Sequence, residues 1–258
     1  MSEIFYCKNC GGIMEFDAAT QSLKCPHCGE EQKIDANRSA VREHKLTAEA
    51  RQMVRVQDKK STTMQCPSCG AMVEVEPNST AKDCPYCGTA FVLAEKQTDV
   101  IVPDGVVPFQ IDKKKAQEIF TQWVGRKKFV PDYFFSASQI ESMTGVYFPY
   151  WLYSCQVKGD LQAEGKTVRV WDMAGMRYTE TKVYDIRRQG DMNVDSVARN
   201  ALKKANRKLI DGVLPYRLNE KKDFSMGYLS GFMAENRDME KDSFVNEVKE
   251  EVRQFALS

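Results

Sequence analysis

The chain has 258 residues, enough for one real hydrophobic core together with two small modules that would need an external staple. Its 37 Lys+Arg against 36 Asp+Glu leave a formal net charge of +1, which argues against a polyanion binder that works by bulk charge. No window approaches eighteen uncharged apolar residues, and the opening MSEIFYCKNC has no basic start, apolar stretch and cleavage site, so a reduced, intracellular setting and no membrane span are expected.

From the N-terminus, the first elements are set by cysteine. Cys7, Cys10, Cys25 and Cys28 recur 59 positions later as Cys66, Cys69, Cys84 and Cys87. In each set two CxxC pairs are separated by fourteen residues, just below the roughly 15–20 common between paired zinc knuckles. Glycine follows every pair, as Gly11, Gly29, Gly70 and Gly88, and this register marks a tandem duplication of one module. Between the pairs, GGIMEFDAATQSLK and GAMVEVEPNSTAKD each predict a short hairpin with a polar turn.

A CxxC turn supplies two soft ligands, because its backbone folds back and points amides at the sulfurs, and two turns close a four-sulfur cage. Two structural Zn2+ ions are the cofactors expected, one per ribbon. A closed cage leaves no position for water, so the metals should hold the fold and not catalyse. The alternatives are redox dithiols or disulfides, and iron in rubredoxin-like knuckles. His27 lies inside CPHCG and is expected to be an exposed knuckle side chain, while His44 is expected to be solvated.

The organisation expected is ribbon 1 over 1–35, a basic and helical connector over 36–60, ribbon 2 over 61–95 and an α+β domain over 96–258. The connector lacks Gly and Pro and holds seven Lys or Arg against three acids. Beyond PDGVVPF at 103–109, Asp112 can cap a helix whose Ala116, Ile119, Phe120, Trp123 and Val124 line one face, predicted to pack on a sheet. Strands are predicted over 146–157, 166–171 and 177–187, joined by polar Gly-containing links that suggest antiparallel pairing. A helix is predicted from Asp195 with Ala198, Ala201, Leu202, Ala205 and Leu209 inward. Another at the C-terminus should place Phe244, Val245, Val248, Val252 and Phe255 on one side, and its abrupt stop suggests a piece of something longer.

In the larger region, Cys155 alternates with Tyr153 and Val157 in a predicted strand and is expected to pack. No histidine follows residue 44, and neither a Walker loop nor GxGxxG occurs, which leaves no familiar catalytic constellation. Basic clusters at Arg38, Arg42 and Lys45, at Lys113 to Lys115, at Arg126 to Lys128, at Arg187 and Arg188, and at Lys203 to Lys208 read first as solvated faces and second as phosphate contacts.

CPxCG in tandem, followed by VYFPYWLY, LIDGVLPYRL and FSMGYLSGFMAE, resembles a bacterial family of TFIIB-type zinc-ribbon proteins, some of them labelled primosomal helicases. The chain departs from any helicase in having no nucleotide-binding loop. The resemblance implies a component of a membrane-stress operon, with the ribbon region in the cytoplasm and membrane segments in a later part, recruiting partners to the inner face of the membrane.

The function expected is therefore a non-enzymatic scaffold whose ribbons present a rigid surface to a protein partner. The second reading is nucleic-acid binding through the ribbons and the basic connector. Twelve basic residues face fourteen acidic ones over residues 1–100. With four thiolates on each divalent ion that region carries about −6, which weighs against the second reading.

Overall fold

The computed structural model describes residues 4–35, 62–66, 68–76, 79–92 and 102–257, so the expected connector over 36–60 lies outside the described residues. Among the described residues the chain is a mixed α+β protein, with small hairpin sheets first and larger sheet segments with few helices after them.

The first ribbon is a three-stranded antiparallel sheet of β1 (Glu15–Asp17), β2 (Ser22–Lys24) and β3 (Glu31–Gln32). Its turn is built by Asp17, whose carboxylate accepts from the Ala19 amide at 3.0 Å and from the Thr20 hydroxyl at 3.2 Å. Gln21 closes the turn at φ 54°. The pairing Phe16↔Leu23 follows the predicted hairpin.

The second ribbon departs from its expected layout. β5 (Met72–Val75) pairs with the upstream β4 (Thr62–Gln65), in the register Met64↔Val73. The strand after it, β6 (Ser79–Asp83), pairs with β7 (Ala90–Val92) and with a strand more than 150 residues away. GAMVEVEPNSTAKD is therefore not one closed hairpin. It contributes to two sheets.

After β8 (Gly105–Val106), the helix α1 (Lys113–Gly125) is capped by Asp112, which accepts from the Lys115 amide at 2.7 Å. The predicted apolar face is present but largely exposed among the described residues. α1 contacts the 3-10 turn Asp132–Phe135 and α2 (Ala137–Glu141), and of the face only Val124 is buried, with Trp123 56% exposed.

β9 (Val146–Tyr147) precedes two long strands, β10 (Tyr150–Met173) and β11 (Met176–Asn200), which form a two-stranded antiparallel arm. The three predicted strands are thus parts of two, because Gly159, Gly165 and Gly190 lie inside strands and the one reversal is at Ala174 (φ 52°) and Gly175 (φ 79°). The helix predicted from Asp195 is instead the end of β11. α3 (Arg207–Asp211) is a single short helix with Asn206 as its cap, and it buries Ile210 while Leu209 is exposed.

The chain continues through β12 (Lys222–Asp223), which pairs with β8, a 3-10 turn at Met226–Leu229, and β13 (Met233–Glu235). β13 joins β9 in parallel and β6 antiparallel, completing a four-stranded sheet in the order β7-β6-β13-β9. The C-terminal helix α4 (Val245–Leu257) has the expected apolar stripe, with Val248 and Val252 buried behind Phe244, though Phe255 is exposed.

Two compact units result. One comprises residues 1–150 and 200–242, and the other residues 151–199 and 243–258. Both ribbons belong to the first, and each is docked through its backbone. Ser230 donates its hydroxyl to the Met14 carbonyl at 2.7 Å, buried, and accepts the Phe16 amide on its own carbonyl at 3.0 Å. Around that point Phe16 meets Tyr228 edge-on at 5.3 Å, and Phe109 stacks on Phe232 at 4.6 Å. Gly145 lets this cluster close, since a Cβ there would lie 2.5 Å from Phe232.

Candidate metal centres

All four knuckles close in the same way. The amide of the first cysteine donates to the carbonyl five residues on, Cys7 to Gly12, Cys25 to Glu30, Cys66 to Ala71 and Cys84 to Thr89, over 2.7–2.9 Å. The glycine amide four residues on donates back to the carbonyl of that cysteine over 2.8–2.9 Å. The reversal forces φ to 71–76° at Gly11, Gly29, Gly70 and Gly88. Any residue with a Cβ is strained there, and this is why glycine recurs after every CxxC.

The turns bring eight sulfurs into two groups. In each group the four Sγ atoms lie within 4.8 Å of one another. Cys7 and Cys28 are 3.5 Å apart and Cys10 and Cys25 are 3.5 Å apart; in the second group Cys66–Cys87 spans 3.8 Å and Cys69–Cys84 spans 3.7 Å. Four sulfurs at the corners of a tetrahedron around zinc, with bonds of about 2.3 Å, stand about 3.8 Å apart. Disulfide sulfurs stand about 2.05 Å apart. The donor set and spacing therefore fit a divalent metal with four thiolates, and each group could hold one zinc ion.

Each cage has a buried half and an exposed half. Cys7, Cys25, Cys66 and Cys84 are buried among Met14 and Leu23 in one ribbon and Val73 and Val75 in the other, while Cys10, Cys28, Cys69 and Cys87 face outward. The exposed sulfurs accept from the backbone amides of Gly12, Glu30, Ala71 and Thr89, each two residues beyond its cysteine.

Without metal, the crowded thiols share protons unevenly. The Cys28 amide brings the Cys25 thiol down to about 6, and the Thr89 hydroxyl, 3.3 Å from Sγ, brings Cys87 down to about 6. The Gly12 amide pulls Cys10 down, but the neighbouring sulfurs, Cys25 first, push it up to about 12. Cys69 behaves likewise: the Ala71 amide lowers it, and burial with the adjacent sulfurs raises it to about 12. A divalent ion would replace those shared protons.

The remaining sequence candidates fall outside the cages. His27 is exposed and rests over Gly12, where an added Cβ would meet its ring at 2.7 Å. Cys155 is half-buried in β10 and joins neither group. Of the basic clusters, Lys204 pairs with Glu76 at 2.7 Å and Glu235 at 2.9 Å, Arg187 with Asp160 at 2.9 Å, and Arg207 with Asp211 at 3.5 Å. Acids thus occupy part of the charge that phosphate would need. Thr89 and Ser230 went unnoticed in the sequence: Thr89 carries no signal beyond its place after CPYCG, and Ser230 none at all.

A cleft of about 350 Å³ lies beside α3, lined by Phe148, Leu209, Ile210, Val213 and Tyr216 with Ala205 and Asn206. It gathers no carboxylate, lysine or cysteine.

Compared with known proteins, the chain is 30% identical over 251 residues to the uncharacterized protein YdjG of Bacillus subtilis (strain 168), a match that covers 97% of this chain and 71% of the relative. No family model matches the chain, and no solved structure matches it.

Proposed function

Since the chain belongs to one family with that Bacillus subtilis protein, we propose that its members are non-enzymatic zinc-binding scaffolds whose two ribbons present a rigid surface to a protein partner. The observation that carries this reading is the closure of both four-sulfur groups, which spends every tetrahedral position on protein and leaves no seat for a substrate. What remains accessible is the rim. Tyr6 and Tyr86 are exposed large apolar side chains beside the knuckles, and the tips at Pro26–His27 and Pro85–Tyr86 project from them. Held rigid by metal and by the Ser230 anchor, such a rim loses little conformational freedom on binding. A location at the inner face of a membrane, reached through a partner, completes the reading and rests on the family resemblance alone.

The test is cross-linking from a photoreactive residue at Tyr86 or Tyr6 in the native host, followed by identification of what is captured and by titration of that protein against the purified chain. A protein captured at the rim, with micromolar or tighter binding lost in Tyr86→Ala, supports the proposal. Capture of nucleic acid, with affinity that falls steeply as salt rises, would replace it with the second reading.

A further inference from the structure

The arm β10–β11 has two chemically different faces, and one of them is only half covered. Strand side chains alternate, and contacts along the arm fix which residues share a side. Trp171 stacks on Tyr178 at 5.8 Å, Arg169 lies 5.8 Å from the centre of the Trp171 ring, and Ile186 reaches over Gly165. On the opposite side Asp172 pairs with Arg177 and Asp160 with Arg187. One face therefore carries the aromatic side chains with Leu161 and Ile186, and the other alternates ion pairs with the smaller Val168, Val170 and Val183.

Toward its base the apolar face is less exposed. Tyr153 is buried, its neighbours Cys155, Val157, Met192 and Val194 are half-buried, and the unit's other buried residues, Phe244, Val248 and Val252, belong to the C-terminal helical segment. Arg199, at the end of β11, pairs with Glu247 and Glu251 of α4. An amphipathic helix is thus what the fold itself pairs, through its acids, with a basic residue of the arm. Farther out the same face continues bare: Leu161, Trp171, Met173, Tyr178, Tyr184 and Ile186 are all exposed. A two-stranded ribbon is marginal in water unless something packs on its apolar side.

We propose that the distal half of this face is the docking site for an amphipathic α-helix of a partner protein, one with acidic residues flanking its apolar stripe. Two observations select that occupant. The site is continuous with the face whose base lies in one unit with α4. The charge on the bare face is also basic, from Arg169, Lys182 and Arg188 against Glu180 alone, which matches acids and would repel a second copy of itself. The helix would lie along the strands with anchors at i, i+3, i+4 and i+7 against Trp171, Tyr184 and Ile186. This site is separate from the ribbon rims and does not depend on whether they bind a partner.

The probe is a fluorescently labelled peptide copying residues 243–257, the chain's own acidic amphipathic helix, titrated into the full zinc-loaded protein by anisotropy. Saturable binding is expected, at least tenfold weaker for a peptide with its glutamates changed to lysine. Ile186→Asp and Trp171→Ala should each weaken it at least tenfold, while Val183→Ser on the ion-paired face should leave it within twofold. Zinc content and circular dichroism, unchanged across the variants, keep the comparison valid. No saturation, equal binding of the lysine peptide, or equal loss in Val183→Ser would overturn the proposal. So would a concentration-dependent dimer abolished by Ile186→Asp, which assigns the face to a second copy, or binding to phosphatidylglycerol vesicles lost in that variant, which assigns it to a bilayer. Variants at the Tyr86 rim test the ribbon reading independently.

Discussion

Replacing Cys84 by serine should disturb far more than the knuckle it belongs to. Cys84 follows directly on β6, and β6 is an inner strand of the four-stranded sheet, between β7 and β13. The apolar core of this ribbon is small: Val73 and Val75 are buried there with the sulfurs of Cys66 and Cys84. Burying two valines contributes about 3–6 kcal/mol by transfer. A structural zinc ion contributes roughly 10–16 kcal/mol in finger-type sites, and a whole domain holds only about 5–15 kcal/mol of net stability. Losing the metal therefore exceeds what the ribbon can supply, and β6 should leave the sheet. β13 then loses the partner that meets Ala234 at Ala81 and Glu235 at Ser79, and the small cluster of Ala81, Leu229 and Ala234 opens. Hydrogen exchange read by mass spectrometry over residues 233–235 is the assay. Exchange at least a hundredfold faster than in the zinc-loaded wild type is expected in Cys84→Ser and in wild type stripped by a chelator. Protection within threefold of the loaded protein, after zinc is shown to be gone, would refute the coupling of site to sheet.

Acid should release the metal, because protons compete for the thiolates: loading is complete above neutrality and is lost as pH falls, which a chromogenic zinc chelator can follow from pH 8 to pH 4. Ser230→Ala removes the buried hydroxyl that satisfies the Met14 carbonyl, and a loss of about 1–2 kcal/mol is expected in denaturant melts, with zinc content unchanged. Gly145→Ala drives a methyl into the Phe232 ring and should cost about 1–3 kcal/mol in the same melts. His27→Ala should leave two zinc ions bound, since the four sulfurs of its ribbon already suffice; loss of one ion would make His27 a ligand.

The cages were legible in the sequence because they are local: each knuckle is closed by hydrogen bonds spanning four or five residues, so CxxCG carries its own geometry. The helix at Lys113–Gly125 and the stripe of α4 were legible for the same reason. What could not be read was who pairs with whom. β6 alternates like any hairpin strand, yet its partners are β7 and the distant β13, and nothing in residues 79–83 names them. The stretch after Asp195 places Val197, Ala198, Ala201 and Leu202 at spacings that suit either period, and pairing with β10 decides for strand as far as Asn200. Glycine within a strand reads as a link in the sequence, whereas Gly165 lies inside β10 with the Ile186 side chain over it and not at a turn. α1 shows the converse: its periodicity was right, but a periodic face does not say what covers it, and Trp123 stays exposed.

The most direct test is zinc stoichiometry of the purified chain by elemental analysis, joined to X-ray absorption at the zinc edge. Two equivalents per chain, each with four sulfur neighbours at about 2.3 Å, is the result expected from the two four-cysteine groups. Less than one equivalent, or intact-mass and peptide data showing disulfides within the groups, would contradict it.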